Sequence, residues 1–286
     1  MPKLRMYRGL PGSGKTTGAR KEVVDSGNAG RVNRDDLRAM LFDSVWTGKR
    51  EGVVVDCEKA IAKVLLANQM TPLIDDTNLS SRHKDMWSGF AKEQGATFEM
   101  VDCGQPLSVC VERDARRPKP IGEAIINRMA LNAGLIDFGD KPIIIVDVDG
   151  TVADGEHREK LLEGEKKDWK AYYALLYLDT PIVSIIDRVN EMADTHTLLI
   201  VSGRPDTYQH GTLKWLREVA KVKFDYFFQR AGNDKREDSI IKKEILDKLP
   251  KEKIVLVLDD RPRVCRMWEA EGLNVEWVRG RDCEEF

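Results

Sequence analysis

The chain has no apolar run near the ~20 residues that a bilayer-spanning helix needs. Its amino terminus, Met1 to Tyr7, carries no apolar stretch before a cleavage site, so a secretory signal is not expected. Cysteine is sparse and unpatterned. Cys57, Cys103, Cys110, Cys265 and Cys283 are odd in number and none forms a CxxC pair, which argues against both a disulfide framework and a zinc site. Together these absences point to a reducing, cytoplasmic setting without a membrane. Neither sign of charge dominates: the net charge of −2 is wrong for a protein that coats nucleic acid non-specifically, though not for one that grips a strand end. No repeat or low-complexity tract is visible.

What is present is a long alternation of strand and helix signals. At 286 residues, 42% of them hydrophobic, the chain can build two domains of ordinary size. Leu4–Gly9 reads as a strand and Lys15–Asp25 as the helix behind it. Leu73–Asp76 and Thr97–Asp102 read as strands flanking a helix that Ser80 or Ser81 can cap and Gly95 can end. Helical stretches follow at Leu107–Arg117 and Ile121–Ala133. Gly134–Pro142, with glycine, two acids and a proline, reads as the domain boundary, giving domains 1–139 and 140–286. Beyond it, strands near Ile143, Thr197–Val201, Phe224–Phe228, Ile254–Leu258 and Val275–Val278 alternate with helices at Ile182–Ala193, Thr207–Ala220, Ser239–Leu249 and Arg263–Glu271. The rhythm predicts an α/β chain of two domains, each a doubly wound, mainly parallel sheet. Functional residues are then expected at the carboxyl ends of strands.

Two motifs sit at such ends. Gly9-Leu10-Pro11-Gly12-Ser13-Gly14-Lys15-Thr16 fits GxxxxGK[ST] in full. Its backbone N–H groups, from Gly12, Ser13, Gly14, Lys15, Thr16 and Thr17, can wrap nucleotide phosphates at a helix amino terminus. Lys15 would neutralise the β and γ phosphates of ATP and Thr16 would hold Mg²⁺. The second motif is Asp147-Val148-Asp149-Gly150-Thr151, directly after Ile143-Ile144-Ile145-Val146. Here Asp147 would attack phosphorus and form an aspartyl-phosphate, and Asp149 would protonate the leaving oxygen. One motif delivers phosphoryl groups and the other removes them.

Further residues cluster around each motif. Asn33-Arg34-Asp35-Asp36-Leu37-Arg38 puts Asp35 and Arg38 on one face of a nascent helix. A carboxylate there can take the proton of an attacking hydroxyl, and a guanidinium can hold a phosphate of the acceptor. In the second half, Ser202-Gly203-Arg204 ends a strand and offers a hydroxyl and a backbone N–H to phosphate. Lys242 or its neighbour Lys243 would neutralise the nucleophile. Asp259-Asp260 ends another strand with oxygen ligands suited to Mg²⁺, joining Asp147 and Asp149 as the metal candidates of this half, as Thr16 is of the first.

On GLPGSGKTT, NRDDLR and Asp75-Asp76-Thr77-Asn78-Leu79, the first half resembles the kinase domain of phage-type polynucleotide 5′-kinase/3′-phosphatases. On DVDGT and the motifs that follow it in order, the second half resembles their haloacid-dehalogenase-like phosphatase domain. The resemblance implies that Asp35 is the general base, that Arg38 contacts the acceptor phosphate and that Asp76 lies near the acceptor strand. It implies an arginine lid over ATP, with Arg117 the best match and Arg113 second. It favours Lys242 over Lys243 and adds Arg230 and Asp238 as secondary candidates. Two departures stand out: residues 152–179, with His157-Arg158 and the aromatics Trp169, Tyr172, Tyr173 and Tyr177, and the segment from Asp43 to Val53.

The function implied is repair of RNA or DNA ends: phosphorylation of 5′-OH ends with ATP and removal of 3′-phosphates, extending to 2′,3′-cyclic phosphates over the family's range. The products are the ends a ligase needs. A homo-oligomer is implied by resemblance alone. The alternatives are a small-molecule kinase fused to a nucleotidase-like phosphatase, and a nucleotide-dependent scaffold; intact Lys15, Asp35, Asp147, Asp149 and Asp259 oppose the scaffold.

Overall fold

The computed structural model describes residues 2–163 and 165–281, and Cys283 lies outside them. Packing divides the chain into two compact units, Met1–Ile121 and Gly122–Phe286. This division falls earlier than the Gly134–Pro142 segment favoured by composition. The reason is the helix at Glu123–Asn132: it packs on a strand of the second unit, where Asn127 donates to the carbonyl of Phe227 at 3.2 Å and Arg128 to that of Gln229 at 3.2 Å. A glycine-and-proline tract marks a loop, but not the sheet on which the preceding helix packs.

The first unit runs β1 (Lys3–Arg8), α1 (Lys15–Ser26), β2 (Ala29–Val32), α2 (Arg34–Phe42), α3 (Gly48–Ala67), β3 (Thr71–Asp75), α4 (Ser81–Glu93), β4 (Thr97–Asp102) and α5 (Leu107–Ala115). Its sheet is fully parallel in the order β2-β3-β1-β4. Leu4, Met6 and Ile74 pack with Trp87 in one core, and Tyr7 and Leu73 with Ala19 in another. Ser80 caps α4, accepting from the N–H of His83, and Gly95 ends it at φ 65°. The 20-residue α3 and the short β2 are not signalled in the sequence.

The second unit runs α6 (Glu123–Asn132), β5 (Ile143–Val146), β6 (Ala153–Asp154), α7 (Glu156–Glu159), α8 (Trp169–Ala174), β7 (Thr180–Pro181), α9 (Val183–Met192), β8 (Thr197–Pro205), α10 (Gln209–Lys214), β9 (Tyr226–Arg230), α11 (Asp238–Leu246), β10 (Ile254–Asp259), α12 (Pro262–Ala270) and β11 (Val275–Trp277). Its main sheet is parallel in the order β11-β10-β5-β8-β9. β5 is central and buried on both faces, as a continuous apolar run in a parallel sheet should be. Ile144 and Val146 enter one core with Ile186 and Trp215, whereas Ile143 and Ile145 enter the other with Ile241 and Trp268. Each such side chain contributes about 1.5–3 kcal/mol on burial. The chain leaves β5 for β8 on one side and returns to β10 on the other, so the strand order reverses at β5. An open parallel sheet builds its site at such a reversal. The antiparallel pair β6–β7 closes the base of the insertion that carries α7 and α8.

Candidate active sites

In the first unit the β1–α1 turn holds the phosphate loop. Gly12 adopts φ 82°, and a Cβ there would come within 2.4 Å of the Cys110 carbonyl oxygen. Only glycine fits both the conformation and the approach. Lys15 folds back over the loop, donating from Nζ to the carbonyls of Gly9 at 2.9 Å and Leu10 at 2.8 Å. Burial lowers its pKa, with Asp75 working against that. Gly12, Gly14, Lys15, Thr16, Thr17, Arg113 and Arg117 line a cleft of about 450 Å³ at the amino terminus of α1. Arg113 donates to the carbonyl of Gly12 at 3.3 Å, and Arg117 lies 3.5 Å from Asp114. Both guanidiniums thus border the cleft.

Asp75, at the end of β3, is a site residue that the sequence reading passed over. It is buried, faces the Thr16 hydroxyl, and accepts from Arg31 Nε at 2.5 Å; burial raises its pKa. The signal was present, since Asp75 ends the apolar strand and Asp76 does not. Asp76, expected beside an acceptor strand, fastens the start of α2. Its Oδ1 accepts from the N–H of Arg34 at 3.0 Å and from Asn33 Nδ2 at 3.4 Å.

On α2, Arg38 donates to Asp35 Oδ1 at 2.5 Å and also grips Glu51 of α3 through two nitrogens at 2.9–3.0 Å. Asp35 is open, with its side chain 85% exposed. Below it, Arg34 Nε donates at 2.8 Å to Glu58 of α3, which is fully buried. Burial and the neighbouring Asp76 push the Glu58 carboxyl up to about 9. Glu51 and Glu58 were invisible as site residues because α3 itself was unassigned.

In the second unit Asp147 follows β5 and Asp259 ends β10. Lys242, on α11 and 3% exposed, reaches both: its Nζ lies 2.7 Å from Asp147 Oδ1 and 2.7 Å from Asp259 Oδ2. Burial disfavours the ammonium, but the two carboxylates outweigh it and raise its pKa. Lys243 points elsewhere, to Asp247 and Glu271. Asp147, Asp259 and Asp260 are all buried and offer three oxygens within 4.8 Å of one another. Burial, together with the crowd of acids, pushes Asp147 up to about 7 and Asp260 to about 6. An all-oxygen cluster whose charges repel one another fits a hard divalent cation. Gly150 at φ 73° lets the chain pass under this cluster, since a Cβ there would lie 1.9 Å from Asp260 Oδ2.

The Asp149 side chain, expected among the metal ligands, lies outside that cluster of oxygens. Both its oxygens are engaged by guanidiniums: Arg204 Nε at 2.9 Å and Nη2 at 2.8 Å, and Arg158 Nη2 at 2.6 Å. Burial opposes ionisation, yet Arg204 and Arg158 hold the carboxyl well below the usual range. The buried Asp179 joins the two arginines from behind, at 2.6 Å from each. Arg158 and Asp179 come from the insertion and were not foreseen as site residues. Nothing local marks their partnership, because 21 residues separate them. Ser202 is buried and its Oγ accepts from the N–H of Arg204 at 3.1 Å. Arg230, expected to contact substrate, pairs with Asp238 and donates to the carbonyl of Arg236 at 2.7 Å, tying down the β9–α11 loop. Arg261 also pairs with Asp238. His157 Nε2 lies 3.9 Å from Asp179.

Comparisons with known proteins divide the chain between residues 135 and 141, within the Gly134–Pro142 tract. Residues 141–282 match the polynucleotide kinase PNKP phosphatase domain, and residues 4–135 match an AAA domain. A protein of Autographa californica nuclear polyhedrosis virus, assigned as a bifunctional polynucleotide kinase/RNA ligase, is 25% identical over 97% of this chain; the chain spans 42% of that relative's length. A chain in the structure of the Pnkp1/Rnl/Hen1 RNA repair complex is 27% identical, covers 99% of this chain and 97% of its own, and superposes with a TM-score of 0.41. The Mycobacterium tuberculosis APS kinase CysC is 23% identical over 47% of this chain and 76% of its own, with a TM-score of 0.34. The chain therefore carries, in order, an AAA-type P-loop domain and a phosphatase domain of the polynucleotide kinase family.

Proposed function

We propose that the protein repairs nucleic-acid ends, phosphorylating 5′-OH termini with ATP in the first unit and removing 3′-phosphates in the second. One observation carries the reading: a complete phosphate loop and a buried Asp147–Lys242–Asp259 centre occur in one chain. In the first unit Lys15 and the loop N–H groups hold the β and γ phosphates, and Arg113 and Arg117 close over them. Thr16 and Asp75 are the groups for a nucleotide-bound Mg²⁺. Asp35, open to solvent, accepts the proton of the incoming 5′-hydroxyl, and Arg38 orients Asp35 while offering charge to the acceptor phosphate.

In the second unit Asp147 attacks the 3′-phosphate, with Lys242 holding its carboxylate and the transferred phosphoryl group. Mg²⁺ held by Asp147, Asp259 and Asp260 would supply positive charge to the same phosphate. Asp149 starts as a carboxylate clamped by Arg158 and Arg204. An arriving phosphate draws the two guanidiniums onto its own oxygens. Asp149 is then free to take up a proton from solvent water, give it to the departing 3′-oxygen and take one back from the water that hydrolyses phospho-Asp147. The products, a 5′-phosphate and a 3′-hydroxyl, are what a ligase joins, and the viral relative's name pairs a kinase with a ligase. The test is one preparation assayed on matched RNA and DNA oligomers bearing a 5′-OH and a 3′-phosphate, with Mg²⁺ and labelled ATP. Label at the 5′ end and free phosphate from the 3′ end support the reading. Transfer to nucleosides or sugars with neither end changed would replace it with the small-molecule alternative.

A further inference from the structure

The insertion at 155–179 does more than deliver Arg158. Its helix α8 starts an aromatic column that continues into the turn after β8. Trp169 and Tyr173 lie parallel with centroids 5.8 Å apart at 24°, and Tyr173 and Tyr208 are stacked at 4.8 Å and 28°. Tyr173 therefore stacks with two rings, Trp169 and Tyr208. Trp169 ends the column and is 47% exposed, among the larger exposures of an apolar ring in the chain. Tyr172 stands edge-on to both Trp169 and Tyr173 and has the Arg158 guanidinium 4.0 Å from its ring centroid. Arg158 in turn binds Asp149. A continuous set of contacts thus runs from the reacting carboxylates to the exposed indole. The hydroxyls of Tyr172 and Tyr173 sense the Asp149 charge, and burial raises both to about 12, so the rings stay neutral while they stack.

A column that only filled a core would bury its last ring. Here the last ring is left open beside a site whose substrate ends in a base one sugar away from the phosphate. We propose that Trp169 is the stacking subsite for the nucleobase of the 3′-terminal nucleotide. The inference deepens the reading of the second unit as a 3′-phosphatase and rests on it. Stacking is indifferent to base identity because every base has a π face. The subsite therefore selects polynucleotide ends over small phosphate esters without selecting sequence.

The experiment crosses a protein change with a substrate change. Oligomers with a normal and with an abasic 3′-phosphorylated terminal residue are hydrolysed by wild type, Trp169→Ala and Trp169→Phe, with an aryl phosphate as a control of the chemistry. Loss of one base–aromatic stack corresponds to roughly 5- to 150-fold in affinity. Wild type should show a KM for the normal end at least about 5-fold below that for the abasic end, with similar kcat. Trp169→Ala should raise KM for the normal end to the abasic value and leave the abasic end unchanged, and Trp169→Phe should restore most of the difference. Equal KM values for the two ends in wild type would overturn the inference alone. Failure to hydrolyse either end while the aryl phosphate is turned over would overturn the end-repair reading, and this subsite with it.

Discussion

Asp147 and Asp35 are both carboxylates beside one cation, and their surroundings are opposite. The Asp147 side chain is 8% exposed and is held by Lys242, itself 3% exposed. The Asp35 side chain is 85% exposed and its partner Arg38 is 16% exposed. The difference follows the chemistry assigned to each. A nucleophile that forms a bond to phosphorus must be placed and stripped of water before substrate arrives. A general base needs only reach and a free lone pair, and the acceptor strand can supply the rest of its surroundings.

The comparison breaks most sharply under removal of the key group at each site. Asp147→Asn should abolish 3′-phosphatase activity and leave 5′ phosphorylation intact, because an amide is a poor nucleophile. Lys15→Ala should do the reverse, costing the kinase at least about 10²–10³-fold in kcat, the scale of losing one charge aimed at a transferring phosphoryl group. Both are read on one preparation of each variant; joint loss of both activities in a folded protein would contradict two independent sites. Asp35→Asn is next. It should lower kinase turnover about 10²–10⁴-fold with little change in KM for ATP, and near-normal turnover would take the base role from Asp35.

Stability sharpens the contrast further. Arg158→Ala leaves the buried Asp179 with Arg204 as its one remaining guanidinium and removes the cation from Tyr172. A cost of about 3 kcal/mol is expected, the low end for breaking a buried ion pair, and a urea midpoint measures it. The smallest effect concerns Glu58, whose carboxyl rises from 4.5 to about 9 in the folded chain. The folded state then keeps a proton that the unfolded state loses, so between these values stability falls as pH rises. Glu58→Gln needs no proton to be neutral. It should melt a few degrees above wild type at pH 8 and level with it at pH 4.5, and no difference between the two pH values would show that Glu58 is ionised.

Both reactive motifs were legible because their chemistry is written in contiguous residues: a loop between strand and helix, and two acids one residue apart after β5. The alternation of strands and helices gave the two parallel sheets for the same local reason. What escaped depends on packing across distance. In α3 the β-branched run Val53-Val54-Val55 has weak helix preference. The helix is held by the buried row Val54, Glu58, Ala62 and Leu66, and Glu58 belongs there only because Arg34 meets it. Arg158 and Asp179 are ordinary charges until the β6–β7 pair brings their segment over Asp149. Asp76 fastens Arg34 at the start of α2, while its neighbour Asp75 faces Thr16, and adjacency in sequence does not tell the two apart.

The central claim is that the second unit works through a covalent phosphoryl group on Asp147, apart from the phosphate loop. The direct measurement uses an oligomer carrying labelled 3′-phosphate, mixed with enzyme and Mg²⁺ but no ATP and quenched in acid within one turnover. The account predicts label on protein, released by hydroxylamine, mapped to the peptide containing Asp147, absent from Asp147→Asn and present in Lys15→Ala. Rapid release of phosphate with no label on protein at any time point, or label on Asp147→Asn, would contradict it.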